Sequence, residues 1–374
     1  MLPYGRQSID RSDVEAVVAA LGSDWLTTGP RVAQFEADLE AVAGAPVVTV
    51  TNGSTALHTA YAAAGVTAGD DVVVTPMTFV ATASSAAVLG AKVIFADVEE
   101  DTANLDPAAV EALATPRTTA IAAVDYAGHP ADYDALRKVA ERVGAALIGD
   151  AAHAIGSTLH GRPVGTLADL TTFSFFPTKN LTTAEGGGVA STRPDLLERA
   201  RTFRHIGMVR EPARLRHPDE GGWFYEVHEF GQNYRLPDLL CALGSAQLRR
   251  LPAFKARRQQ LTARYDELLA DVPGLRLPVQ REGVDPMRHL YPVRVLDGRR
   301  REVYDRMRAA GIGVQVNYIP VYWHPVFEDL GYRRGMCPVA ERFYAEELSL
   351  PLFVDLSDAD QDRVVEALRT ILGS

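Results

Sequence analysis

The sequence predicts an α/β protein, a mostly parallel seven-stranded sheet with helices on both faces followed by a smaller α+β segment. Three observations predict it. Short apolar runs alternate with amphipathic stretches from Val47 to Ser191, the pattern of successive strand–helix units. Acidic and hydroxyl residues stand just past those runs, where open parallel sheets keep their ligands. Past Pro273 the order changes to fewer, more widely spaced elements. At 374 residues the chain exceeds a typical domain of ~150 residues. A large domain over residues 1–250 and a small one over 251–374 are expected, divided along the long helix after Leu251.

Ile9 to Leu21 reads as an amphipathic helix capped by Asp10 or Ser12, and Arg31 to Val42 as a second helix after the loop Trp25–Pro30. Val47–Val50 is a buried strand and Ser54 to Ala64 its helix. Asp71 to Thr75, Val93 to Ala96, Ala120 to Val124 and Ala146 to Gly149 are further strands, with helices at Ala81 to Leu89 and Ala131 to Val143. Leu170 to Ser174 and Gly188 to Ser191 complete the seven. Arg199 to Glu229 carries six arginines and few apolar residues after Val209. It reads as a long polar loop, either a lid over a site or a solvated excursion. Helices follow at Leu236 to Leu248 and Pro252 to Leu269. The small domain is expected to hold strands His289–Val295 and Val314–Tyr318 and helices Arg299–Ala310 and Asp358–Leu372.

Composition excludes several classes. A net charge of −10 leaves no basic face for nucleic acid. Two cysteines, Cys241 and Cys337, point to no disulfide framework and no metal cluster. The first residues lack the apolar run of a secretory signal, and no stretch approaches the ~18 apolar residues of a membrane span. A cytoplasmic location is expected.

The chain has four lysines. Lys138 and Lys255 lie on helical faces that read as solvated, and Lys92 is a strand-entry charge. Lys179 alone follows a strand end, among Phe173, Phe175, Phe176 and a triple glycine. A desolvated lysine has a lowered pKa, and its free amine attacks carbonyls; a lysine bonded to turn carbonyls would read the same way. Asp150 ends the preceding strand, with His153 three residues on. Asp150 can be a site acid or a helix cap. A strand-end Asp and Lys together suggest pyridoxal phosphate, the Lys as Schiff-base amine and the Asp on the pyridine nitrogen. Thr51–Leu57 puts Gly53 and Ser54 at a helix N-terminus, a seat for phosphate. Ser174 can add a hydroxyl to the same anion. Phe79 can stack on a flat ring or pack in the core.

Taken together, Asn52-Gly-Ser-Thr-Ala-Leu-His58, Asp150-Ala-Ala-His153, Phe173-Ser-Phe175 with Lys179, and Glu185-Gly-Gly187 resemble the DegT/StrS family of pyridoxal-phosphate sugar-nucleotide aminotransferases. Gly231-Gln-Asn-Tyr-Arg235 and Tyr318-Ile-Pro-Val-Tyr-Trp-His-Pro325 add to the likeness. Within the family, Tyr126-Ala-Gly-His-Pro130, Gly313-Val-Gln-Val-Asn-Tyr-Ile-Pro-Val-Tyr-Trp-His-Pro325 and Cys337-Pro-Val-Ala-Glu-Arg-Phe-Tyr344 look most like the pseudaminic-acid-pathway 4-aminotransferases. The resemblance covers nearly the whole chain. It implies fold type I, pyridoxal 5'-phosphate, and a homodimer with shared active sites. It implies glutamate as amino donor and a nucleotide-linked 4-keto-6-deoxy sugar as acceptor. Lys179 and Asp150 are then catalytic, and Gly53, Ser54 and Ser174 hold the phosphate. Phe79 stacks on the ring, and His153 lies beside the ring oxygen. Asn233 reaches the phosphate from the neighbouring subunit, and Glu185, Tyr318 and His324 lie on the substrate side. The chain departs from the family in having Asn52-Gly-Ser-Thr55 where Ser-Gly-Thr-Ala is usual, and Gln232 where an aromatic residue is common.

Overall fold

A computed structural model describes residues 1–373. Seven strands form the central sheet: β1 (Val47–Val50), β2 (Asp71–Val74), β3 (Lys92–Phe95), β4 (Thr118–Val124), β5 (Ala146–Asp150), β6 (Leu170–Ser174) and β7 (Gly187–Ala190). Their order is β1-β7-β6-β5-β4-β2-β3. From β3 to β6 every pairing is parallel, while β7 runs antiparallel to both β6 and β1. The sheet interior is Val, Ile and Ala, buried on both faces, as a parallel sheet sandwiched by helices requires. Gly187 is needed where β7 passes the β1 turn, because a Cβ there would lie 2.4 Å from the Asn52 carbonyl oxygen.

The helices start where their caps predict. Asp10 caps Arg11–Leu21 by accepting from the Ser12 and Asp13 amides. Asn52 caps Gly53–Ala64 by accepting from the Thr55 amide, while the Thr55 hydroxyl takes the Asn52 amide. Phe35, wholly buried on the helix Pro30–Ala43, meets Phe175 edge-on with centroids 5.6 Å apart. Truncating such a ring to Ala costs about 3–5 kcal/mol.

Several expectations need correction. Arg199 to Arg204 lie in a helix, Pro194–Arg204, and not in a loop. Pro194 opens it, and Leu196, Ala200 and Phe203 bury one face at helical spacing. The arginine count hid that stripe. A short hairpin follows, Met208–Val209 against Glu226–Val227. The two helices expected either side of Pro252 are one, Asp238–Leu269, which runs through the proline. Lys255 is tied rather than solvated, donating to Asp285 (2.6 Å) and to the Gly156 carbonyl (2.8 Å). Residues 314–318 form no strand but an extended run bridged to Ser349 through Gln315.

That bridge leads to an unexpected strand, Glu347–Leu350, which pairs with Tyr291–Val295 in a three-stranded antiparallel sheet with Leu275–Arg276. Helices Arg300–Ala309 and Asp358–Leu372 cover it, and Leu261, Tyr265, Val303, Met307 and Leu368 fill the core between. Tyr322, Phe327 and Phe343 pack instead under Phe95 of the large sheet. The N-terminal segment joins this C-terminal part, with Leu2 bonded to Gly311 and Gly313, and Tyr4 to Leu352. Among the described residues no helix is long and apolar enough to cross a membrane.

Candidate active site

A cavity of about 470 Å³ opens at the carboxyl ends of the parallel strands, closed on one side by Gln315, Asn317 and Tyr318 from the C-terminal part. It gathers Gly53, Ser54, Phe79, Asp150, His153, Ser174, Lys179, Glu185 and Tyr318, nine of the residues singled out in the sequence. Two others lie elsewhere in the single chain. Asn233 is exposed and bridged to His205, and His324 precedes the short helix Pro325–Asp329.

The strand ends supply the charged pair. No helix follows Asp150, so it caps none. Its carboxylate accepts from the Thr82 hydroxyl (2.7 Å) and the Ala152 amide (3.2 Å). Burial pushes its pKa up, with those bonds and Lys179 opposing. Lys179 sits on the turn after β6. Burial pushes its ammonium down to about 8 while Asp150 pulls the other way, so roughly a tenth of the amine is free at pH 7, far more than for an ordinary lysine.

His153 is fixed from both sides. Its Nδ1 accepts from the Ala127 amide (3.3 Å), so Nε2 carries the proton and donates to the Tyr318 hydroxyl (3.0 Å). Burial, helped by Lys179, holds it neutral. The rings of His153 and Tyr318 lie nearly parallel, and Phe79 meets Tyr318 edge-on. Phe79 is 58% exposed, which removes core packing as its role and leaves its face at the cavity mouth.

A phosphate fits the corner of the cavity where the helix Gly53–Ala64 begins. The Gly53 and Ser54 amides are the first of their helix and have no protein acceptor among the described residues. A Cβ on Gly53 would lie 2.8 Å from the Ser174 Cβ, so only glycine leaves that corner open. Free amides, the helix dipole and two serine hydroxyls make an anion cradle. With a flat space between the cradle and a buried carboxyl, and one free amine within it, the residues present fit pyridoxal phosphate.

The sequence reading missed Thr82, His289, Tyr4, Gln315 and Asn317. Thr82 was within reach, since it opens the helix after β2 on the ligand side of the sheet. The others reach the cavity from the chain's two ends, and nothing local marks them.

Comparison with known proteins agrees. The signature of the DegT/DnrJ/EryC1/StrS aminotransferase family matches residues 7–369. The spore coat polysaccharide biosynthesis protein SpsC of Bacillus subtilis is 37% identical over 99% of this chain and 97% of its own. The UDP-4-amino-4,6-dideoxy-N-acetyl-beta-L-altrosamine transaminase of Campylobacter jejuni is 36% identical over 100% of this chain and 98% of its own. The putative sugar aminotransferase Spr1654 from Streptococcus pneumoniae, solved in PMP and PLP forms, superposes on 100% of this chain and 99% of its own. Its TM-score is 0.94 at 30% identity. The chain therefore belongs to the DegT/DnrJ/EryC1/StrS aminotransferase family, as a fold-type-I sugar aminotransferase of amino-sugar biosynthesis whose cofactor is pyridoxal 5'-phosphate.

Proposed function

We propose that this enzyme moves an amino group from glutamate to C4 of a nucleotide-linked 4-keto-6-deoxy sugar. The observation that carries the reading is the pair of half-buried Lys179 and buried Asp150 in one cavity with an anion cradle. Bound pyridoxal phosphate supplies an aldehyde for the amine and an electron-withdrawing ring. Lys179 provides the amine that holds that aldehyde. Its Nζ would also serve as the base that takes up and returns the substrate's proton when the cofactor is bound.

Asp150, buried beside Lys179, holds a proton on the pyridine nitrogen, which keeps the ring electron-poor. Gly53, Ser54 and Ser174 bind the phosphate, and Phe79 covers the ring face. His153, neutral and braced by Ala127 and Tyr318, would lie beside the ring oxygen of the bound cofactor. Glu185, Tyr318 and His324 form the sugar side. Asn233, exposed in its own chain, completes the cradle of a neighbouring copy in a homodimer. The C. jejuni relative's name, a transaminase of a UDP-linked 4-amino-4,6-dideoxy sugar, supports the acceptor class and the ring position.

A dehydration of the ketosugar is the competing reading. Relatives that dehydrate carry histidine in place of the lysine, so Lys179 favours transfer. Incubating the enzyme with glutamate and a panel of nucleotide ketosugars, then weighing the products, tests the proposal. A product bearing an amine where the ketone stood supports it. Loss of water without amine gain, or no turnover of any 4-keto sugar, refutes it.

A further inference from the structure

The amino donor brings a carboxylate next to the amine it gives up, so that anion must come to rest near Lys179. Among this chain's own described residues, no arginine lines the cavity to receive it. Its only basic side chain besides histidines is Lys179, which is occupied with the chemistry. The anion therefore needs neutral N–H or O–H donors that no protein group has already engaged.

Several of the buried polar groups nearby are engaged. His153 is bonded at both nitrogens. The Asn317 side chain donates to Ser349 (3.0 Å). Asn180 donates to the carbonyls of His153 and Met287, 2.9 Å each. The Thr82 hydroxyl is on Asp150.

His289 is different. It is 5% exposed and lines the cavity, its Nδ1 is buried without a partner, and neither ring nitrogen bonds any described residue. Its place is nonetheless set with care. Its ring lies against His153, centroids 4.5 Å apart and planes 44° apart. One peptide registers both rings, Ala127 giving its amide to His153 and its carbonyl to the His289 amide (3.0 Å). Behind it, the buried guanidinium of Arg258 donates to the carbonyls of Arg288 (3.1 Å), His289 (3.4 Å) and Leu352 (3.3 Å). Nδ1 is enclosed by protein, so the other nitrogen, Nε2, unpaired and not shut off, is the one that can donate to a ligand in the cavity.

We propose that His289 is the residue of this cavity that recognises the carboxylate of the amino donor. It donates an N–H to the anion beside Lys179, and its packing on His153 fixes the direction of that bond. Burial and the neighbouring His153, Lys179 and Arg258 keep the empty ring neutral, so it acts as a dipolar donor rather than as a counter-ion. This rests on the reading of glutamate as donor and of Lys179 as the reacting amine.

The two half-reactions separate the possibilities. His289→Phe keeps a flat ring on His153 but has no N–H, and His289→Gln restores one. In holoenzyme carrying His289→Phe, kcat/KM for glutamate should fall about ten- to a hundredfold, the range for losing one hydrogen bond to a charged group. Affinity for glutarate, a dicarboxylate with no amine to react, should fall alike by titration calorimetry. Amine transfer onto the ketosugar should stay within about threefold of wild type, because no charged hydrogen bond is lost there. His289→Gln should recover most of the glutarate affinity. Equal losses in both half-reactions, or unchanged glutarate affinity in His289→Phe, overturn the proposal. Should the aromatic variant not fold, His289→Leu set against His289→Gln makes the same comparison. Lys179→Ala checks the reading beneath it, since a Lys179→Ala enzyme that still transaminates would remove the site itself, whatever His289 does.

Discussion

Asp150 and Lys179 share one cavity, and burial pushes each toward its neutral form while each favours the other's charge. A pair balanced in this way needs a third group to settle its protonation, and the cofactor's pyridine nitrogen is that group in our reading. Asp150→Asn keeps the size and removes the charge. The enzyme should still take up cofactor and colour, because Lys179 and the Gly53–Ser54 cradle are untouched. Turnover should fall by roughly 10²–10³, about 2.7–4 kcal/mol, by analogy with losing one preorganised electrostatic contact. Stopped-flow absorbance of each half-reaction checks this, and a wild-type rate would reduce Asp150 to scaffolding. Both residues were legible in the sequence because each stands just past the end of a strand, where local pattern alone says that ligands bind. His289 and Tyr4 were not. His289 meets His153 and Tyr4 meets Thr178, each more than a hundred residues away in sequence, and each sits in a stretch that reads locally as ordinary structure.

The strand Glu347–Leu350 shows what element patterns could and could not tell. Strands β1 to β7 announced themselves as short β-branched or alanine-rich runs. Glu347-Leu-Ser-Leu350 begins with a carboxylate that is fully buried in the fold, and no pattern rule predicts a strand opening on a buried acid. Its carboxyl accepts from the Asn317 amide (2.6 Å) and pairs with the Ser349 hydroxyl (2.6 Å), which ties the cavity wall 315–318 to the small sheet. Burial raises its pKa to about 8. Unfolded, it ionises near the ordinary glutamate value of about 4.3. Between those values the folded chain binds the extra proton, so this stability contribution is full below about 4.3 and is lost as pH rises through about 8. Glu347→Gln cannot ionise and keeps the acceptor for Asn317. Its melting temperature should match or trail wild type at acid pH and gain on it steadily toward pH 8. Asp125, raised by burial to about 7, adds a slope of the same sign to both proteins and cancels in the comparison. A difference that does not change with pH would show that Glu347 ionises normally in the fold. The Arg-rich stretch is the converse lesson. Its charges masked a three-residue apolar stripe, Leu196, Ala200 and Phe203, that made a helix of its first part.

At the scale of the molecule, the fold class was legible because alternation of strand and helix is a property of the whole chain. The site's completeness was not, because in the proposed homodimer it depends on what meets the single chain. Asn233 is exposed and away from its own cavity. Trp223 and Phe230 on the same excursion are 79% and 100% exposed, apolar side chains that a neighbouring copy would cover in the proposed dimer. In a homodimer with shared sites, inactive Lys179→Ala chains mixed with inactive Asn233→Ala chains should regain part of the activity, since some mixed dimers rebuild one intact site. No recovery despite proven subunit exchange would make each chain self-sufficient. The claim on which all of this stands is that Lys179 carries the cofactor. Reducing the yellow holoenzyme with borohydride and mapping the modified peptide tests it most directly. The account predicts that the pyridoxyl label lies on Lys179 alone, and a label on Lys92, Lys138 or Lys255 would contradict it.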